Sequence, residues 1–379
     1  MNMRELRLAI VGCGSITERG FLPHLALERD RVKVVALCDV KEREGHLKTL
    51  AERFKVKETF TDVSDLLSNS DAEAVAIATP IPLHYQQALA SLLGGRHVYV
   101  QKTMTQTTGE AEELICLANG RGLVLAASPG QMLLPAYRYA RELVVDEGAL
   151  GTMYAAISVA LAPGHEYETS RKRDLDPSWY FKAGAGPLRD MGVYSIHAIT
   201  GILGCARRVT SFASCPRPER PWKDKKIQVE ADDNVALILE LEQGCLATIS
   251  ASYSAIPPIL HWGHLAISGF EGALEVRRLP EKSSRYELVL RRTDESRVLR
   301  KEFGTGLTEE HDALEEAHVA RDLLDFVDAA LNNRQTGASA GEACHAIAVV
   351  EAAERSAQIG TAVEVSGFEA APDGRRGNV

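Results

Sequence analysis

Short, nearly unbroken apolar runs recur through the first third of the chain, and polar stretches of helical character separate them. Leu6–Val11, Val32–Asp39, Ala74–Pro80, His97–Val100 and Leu123–Ala127 read as strands buried on both faces, because such runs leave no polar edge for solvent. Helices are expected around His84–Leu93 and Gly109–Asn119. Strands alternating with helices predict a parallel, doubly wound sheet over residues 1–128. A linking helix from Pro135 to Val145, ending at Gly148, follows. From Gly151 the pattern changes to strands at Met153–Leu161, Arg208–Ser214, Asn234–Glu242, Cys245–Tyr253, Gly263–Ser268 and Ala273–Arg277, with Glu242-Gln243-Gly244 as a hairpin signal. This predicts a second α/β unit over residues 129–365, built on an open, mostly antiparallel sheet. Two irregular insertions, Pro163–Ser178 and Pro216–Asp233, are expected within it. Val319, Leu323, Phe326, Val327 and Leu331 recur at helical spacing and should return the chain to the first domain. Residues 366–379 read as a flexible tail.

The first strand runs directly into Gly12-Cys13-Gly14-Ser15-Ile16-Thr17, the start of a G-x-G-x-x-G turn. Gly12 permits the bend, Gly14 lets the backbone approach a pyrophosphate, and the helix that follows offers its N–H groups to that anion. Thr17 replaces the third glycine and should push the helix slightly off the strand. Asp39 ends the second strand at the distance this fingerprint expects, where a carboxylate binds ribose hydroxyls and repels a 2′-phosphate. NAD is therefore expected over NADP, with Lys41 softening the preference. Thr79-Pro80 breaks a strand where the sheet should meet the cofactor.

A second chemical signal lies in Gly184–Gly204. Glycines with Pro187 just inside mark a helix start, and Gly204 marks its end. Asp190, Tyr194 and His197 fall at i, i+4 and i+7 and should share one face. An acid, a phenol and an imidazole there suit proton transfer to a bound polar substrate; a plain polar stripe is the alternative. Trp179 and Tyr180 precede this helix and could stack on a sugar ring or pack in the core.

Composition narrows the function classes. With 43 Lys and Arg against 52 Asp and Glu, the net charge is −9, which argues against nucleic acid. The one dense basic run, Arg171-Lys172-Arg173, is flanked by acids and reads as a solvated loop. No window suits a membrane span, and the first strand follows Met1–Glu5 too closely for a leader peptide. Seven scattered cysteines read as reduced thiols in a cytoplasmic protein. His261 and His264 should point to opposite faces of a strand, so no metal is expected.

Over nearly its whole length the chain resembles the Gfo/Idh/MocA family of NAD(P)-dependent oxidoreductases. The resemblance rests on Gly12-x-Gly14, Ala78-Thr79-Pro80, the segment from Leu83 to Thr103, Asp190-x-Gly192-x-Tyr194, and the two C-terminal helical segments. It implies a Rossmann domain followed by an α/β domain whose open sheet makes a homodimer or homotetramer. It also implies a cofactor site that includes Ser15, Ile16, His84, Gln101 and Lys102 beside the residues above. The family's Glu-Lys-Pro is here Gln101-Lys102-Thr103, and its frequent arginine after the sixth strand is replaced by Gln131-Met132. Tyr194 stands where inositol dehydrogenases carry histidine, which places the chain nearer the glucose-fructose oxidoreductase branch.

The expected activity is interconversion of a secondary alcohol and a ketone on a sugar, glycoside or cyclitol, with hydride exchanged with NAD. Lys102 would orient the hydroxyl and lower the pKa of Tyr194, Asp190 would hold Lys102 or the substrate, and His197 would bind a hydroxyl or act as base. A glycosidase that oxidises its sugar transiently, and a non-catalytic dinucleotide sensor, are the alternatives.

Overall fold

The computed structural model describes residues 4–167, 176–255, 262–279, 284–294 and 298–366. The first sheet comprises β1 (Leu6–Val11), β2 (Val32–Cys38), β3 (Glu58–Phe60), β4 (Ala74–Ile77), β5 (His97–Val100) and β6 (Leu125–Ala127). Their order is β3-β2-β1-β4-β5-β6, all parallel. The order reverses between β1 and β4, which is where a doubly wound sheet opens its ligand crevice.

Both faces of this sheet are covered. Leu8, Ile10 and Tyr99 pack against Val319, Leu323, Phe326 and Val327 of the helix Ala317–Asn332, so the helical spacing near the C-terminus does return the chain to the first domain. The other face meets the helices His84–Leu93 and Thr108–Gly120, and also Ala343, Cys344 and Ile347 of the helix Ala340–Ile359.

The second sheet has nine strands: β7 (Met153–Leu161), β8 (Ala206–Ser214), β11 (Asn234–Leu241), β12 (Leu246–Ser252), β13 (His264–Gly269), β14 (Gly272–Arg278), β15 (Tyr286–Arg292), β16 (Leu299–Phe303) and β17 (Val363–Glu364). Pairing is antiparallel except between β7 and β12. That exception sets the site: parallel neighbours with Leu161 opposite Ser252 deliver their exit loops to the same edge. One face packs on the helices Pro135–Arg141, Val193–Leu203 and Ala340–Ile359. The other exposes Ile157, Phe212, Ile238 and Leu246.

Two expectations change. The Pro216–Asp233 insertion contains a hairpin, β9 (Glu219–Trp222) with β10 (Lys225–Gln228). Proline is tolerated in such an isolated ribbon, where one side of each strand has no ladder partner. The helix predicted from Pro187 begins as a π-helical turn, Leu188–Gly192, before the α-helix Val193–Leu203. A π turn holds more residues than an α turn and shifts the angular phase of everything after it. Arg171–Arg173, His261 and, apart from Ser366, the expected tail lie outside the described residues.

Candidate active site

The cofactor turn is built as the fingerprint requires. Gly12 has φ +90°, and a Cβ on it would lie 2.6 Å from the Ala78 carbonyl carbon, so only glycine fits. A Cβ on Gly14 would meet nothing nearer than an Arg43 guanidinium nitrogen at 4.0 Å, which leaves the backbone open to an incoming pyrophosphate. The chain therefore fits a dinucleotide at this turn. Thr17 is buried and its hydroxyl donates to the Gly12 carbonyl at 2.6 Å; the segment after it, Thr17–Phe21, is itself a π turn. Ser15 accepts from Arg19 at 3.0 Å, and Ile16 packs on the first core.

Asp39 accepts from the Cys13 amide at 3.1 Å and from the Val40 amide at 2.8 Å. Its cationic neighbour is Arg43 at 2.8 Å, while Lys41 is exposed, which corrects the expected role of Lys41. Arg43 also donates to the Cys13 carbonyl at 3.2 Å. Thr79 and Pro80 are half-buried after β4, and the Thr79 hydroxyl donates to Gln87. Two further expected cofactor residues have partners within the protein. Gln101 is buried and donates to the Tyr99 hydroxyl at 2.9 Å, and the fully buried His84 ring spans the carbonyls of Thr79 and Thr103 at 2.7 and 2.8 Å.

The catalytic candidates gather around one carboxylate. Asp190 is 4% exposed, its Oδ1 is paired with Lys102, and its Oδ2 accepts from Tyr253 at 2.8 Å and meets His165 Nε2 at 2.9 Å. Burial alone would raise its pKa, but the Lys102 charge and the His165 contact outweigh that and hold it well below the usual carboxylate range. His165 follows β7 and Tyr253 follows β12, the parallel pair. One guanidinium secures both loops. Arg220, fully buried, donates to Glu166 at 2.6 Å, to the Tyr253 carbonyl at 3.1 Å and to Ser254 at 3.0 Å, pairs with Asp233, and lies 5.3 Å from the Phe181 ring. Tyr180 stacks on His165 with centroids 3.5 Å apart, and Trp179 lies 3.8 Å from Tyr180, so both expected aromatics reach the carboxylate cluster.

Tyr194 also reaches this region, with its ring 5.9 Å from the Lys102 ammonium and 5.2 Å from Trp262. The expected lowering of its pKa is not found. Burial, followed by the charges of Asp322, Glu316 and Asp190, pushes the phenol well above its ordinary value. His197 is not brought to the cluster. It is buried in the helix core, where burial and His345 lower its pKa to about 3. The π turn supplies the geometric reason, since i+7 spacing assumes an unbroken α-helix. His264 pairs with Glu275 at 3.2 Å.

His165, Tyr253, Arg220 and Arg43 were not singled out by the sequence reading. Only Arg43 left a local signal, four residues past Asp39 at helical spacing. His165 and Tyr253 meet through a strand pairing between distant segments, which no local periodicity reports.

Known proteins place these observations. The profile described as "Oxidoreductase family, NAD-binding Rossmann fold" matches residues 6–128, and the "GFO/IDH/MocA C-terminal domain" matches residues 137–275. The dTDP-3,4-didehydro-2,6-dideoxy-alpha-D-glucose 3-reductase of Streptomyces violaceoruber is 30% identical over 208 residues, 55% of this chain and 57% of that protein. The D-glucoside 3-dehydrogenase of Escherichia coli (strain K12) is 27% identical over 208 residues, 54% and 56% of the two chains. The match thus spans little more than half the length of these curated relatives. The fold extends further: levoglucosan dehydrogenase, solved in complex with NADH and levoglucosan, superposes with a TM-score of 0.79 at 19% identity, over 96% of this chain and 100% of that one. With both profiles matched in order over most of its length, the chain belongs to the Gfo/Idh/MocA family of oxidoreductases and carries that family's NAD-binding Rossmann fold.

Proposed function

We propose that this protein is an NAD-dependent oxidoreductase that interconverts a secondary alcohol and a ketone on a sugar, glycoside or cyclitol. The observation that carries the reading is the Lys102–Asp190 pair beside the His165–Tyr180–Trp179 stack. Bound NAD supplies the hydride acceptor or, reduced, the donor. Gly12, Gly14 and Asp39 hold it. Thr79 and Pro80 form the rim of the crevice.

The protein's own part is the proton. Loss of hydride from a carbinol carbon requires its hydroxyl proton to leave, and reduction requires the reverse. Lys102 as ammonium donates to the carbonyl oxygen as C=O becomes C–OH, and as amine takes that proton back. Asp190 is anionic beside the Lys102 ammonium, whose charge outweighs burial and holds the carboxyl far below neutrality, and it anchors that ammonium in turn. Tyr194 stays a neutral phenol and acts as a hydrogen-bond donor to the substrate rather than as its base. Trp179 offers a stacking surface for the apolar face of a sugar ring, whereas Tyr180 already lies between His165 and Trp179. His165 is held on Asp190 and stacked on Tyr180.

Two further parts of the proposal concern setting. The exposed apolar face of the nine-stranded sheet supports a homodimer or homotetramer joined there. All seven cysteines are unpaired, and no helix among the described residues is long and apolar enough to cross a membrane, which supports a cytoplasmic enzyme.

The test is a panel of sugars, glycosides and cyclitols with NAD, read by NADH absorbance and by product analysis. Net NADH is expected. Product without net NADH would indicate the glycosidase chemistry, and binding of NADH with no turnover of any substrate would indicate a sensor.

A further inference from the structure

Residues 102–103 and 189–190 run side by side where the two domains meet, and two side chains join them. Lys102 is paired with Asp190, and the Thr103 hydroxyl donates to the Arg189 carbonyl at 2.6 Å. Thr103 stands in the triplet position where the family usually has proline, a residue whose side chain cannot donate. Its own carbonyl lies 2.8 Å from His84, whose other ring nitrogen lies 2.7 Å from the Thr79 carbonyl. A line of hydrogen bonds therefore runs from the cofactor rim through Thr103 into the π turn that carries Asp190. The far side of that turn is fixed as well. The Arg189 guanidinium makes two 2.7 Å contacts with Glu354 and donates to the Gln106 carbonyl at 2.8 Å.

We propose that Thr103 is a positioning residue whose hydroxyl locks the Lys102 loop onto the π turn and so keeps Lys102 against Asp190. The inference rests on Lys102 being the proton-exchanging group of the proposed reaction. A lysine–carboxylate contact weakens each time the lysine gives up its proton, whereas a hydroxyl–carbonyl hydrogen bond is indifferent to that change. The two rungs divide the work: one handles the proton and the other holds the register. Thr103 is 3% exposed, so water cannot replace its bond when the hydroxyl is removed.

Thr103→Val, nearly isosteric, and Thr103→Ser, which restores the hydroxyl, test this. The first readout needs no substrate: the acetylation rate of each lysine under a water-soluble acetylating ester, followed by peptide mass mapping. Lys102 in Thr103→Val is expected to react about fivefold faster or more than in the parent, other lysines unchanged, with Thr103→Ser at the parent rate; an unpaired buried carbonyl sets that scale. The second readout is kinetic. The kcat of Thr103→Val is expected to fall about 10- to 100-fold while NADH affinity stays within about twofold. Thr103→Ala replaces the valine variant if that protein loses cooperative unfolding. Parent-like Lys102 reactivity in the hydroxyl-less protein, or a rise shared by all lysines, overturns the proposal, as does failure of serine to rescue. If the parent turns over no substrate yet Lys102 reactivity responds as described, the positioning role stands and the proposed reaction fails.

Discussion

The guanidinium of Arg43 sits 2.8 Å from the carboxylate of Asp39 and 3.2 Å from the Cys13 carbonyl, so the acid that marks the ribose end of the crevice carries a cation on its shoulder. Asp39 repels a 2′-phosphate and Arg43 attracts one. The carboxylate also accepts two backbone amides, which fixes it in place. Fluorescence titration is therefore expected to give tighter NADH than NADPH binding. Arg43→Ala should widen the preference by about tenfold, and Asp39→Ala should narrow or reverse it by a similar factor, as expected for one unit charge near a phosphate at partly exposed sites. Unchanged relative affinities in Arg43→Ala would mean that the guanidinium never meets the ribose edge.

Lys102→Met removes the cation from a buried carboxylate. Turnover is expected to fall about 10²–10⁴-fold, the usual worth of an acid–base group. The cost in stability should exceed that of Asp190→Asn, because the methionine leaves Asp190 charged and uncompensated while the amide does not. Steady-state kinetics and denaturant unfolding of both variants and of the double variant check this; since the pair acts as a unit, the double loss in rate should be far below the product of the single losses.

Tyr194→Phe separates a phenol that donates from one that ionises. With its pKa raised, Tyr194 cannot contribute a limb to the pH–rate profile near neutrality. The variant is expected to lose about tenfold in kcat/KM, in line with one hydrogen bond to substrate, with the limbs of the profile unmoved. A limb that disappears with the hydroxyl would restore Tyr194 as the base.

His197 governs stability rather than turnover. Its folded pKa, about 3, lies below the ordinary imidazole value, so the unfolded chain takes up a proton that the folded chain refuses. Stability is therefore expected to fall as pH drops from about 6.5 toward 3, by roughly 1.4 kcal/mol per pH unit for a single such group. His345, lowered to about 4 beside it, adds to the same slope. Replacing His197 with leucine should reduce the slope by about one proton and leave kcat largely intact. A His197→Leu protein that folds normally but is inactive would return His197 to the site.

Phe212 is 75% exposed on the open face of the large sheet, on β8, where Ala236 and Ser250 continue its row across β11 and β12. Phe212→Glu is expected to shift the protein to a smaller species in size-exclusion chromatography with light scattering. A parent that is already monomeric would remove the proposed assembly.

Strands with unbroken apolar runs were legible to the residue: β1, β5 and β7 end where the hydrophobic pattern ends. So was the cofactor turn, because Gly12 answers to a single steric demand. The helix after Pro187 is legible as a helix but not in its phase, since no periodicity in the sequence marks Leu188–Gly192 as a π turn. Tyr194 comes near Lys102, and His197, one turn further along, stays in the helix core. Nothing in the triplet Gln101-Lys102-Thr103 assigns a task to the Thr103 hydroxyl, and only the approach of Arg189 gives it one. Arg220 had no pattern to betray it: its partners Glu166 and Asp233 come from segments that only the folded sheet brings together.

The helix Ala317–Asn332 closes one face of the first sheet, and this governs how the protein can emerge from a ribosome. The strands that make up the cofactor domain are all synthesised by Ala127, yet Leu8, Ile10 and Tyr99, which Phe21 and Leu22 cover in part, gain the rest of their cover only after Phe326 has left the exit tunnel. For most of synthesis part of that face is apolar surface in water, the condition under which nascent chains aggregate or engage chaperones. Folding of the N-terminal half is thus held open until the last quarter of the chain arrives. A truncation before Ala317 should yield an insoluble product although every proposed cofactor-binding residue is present.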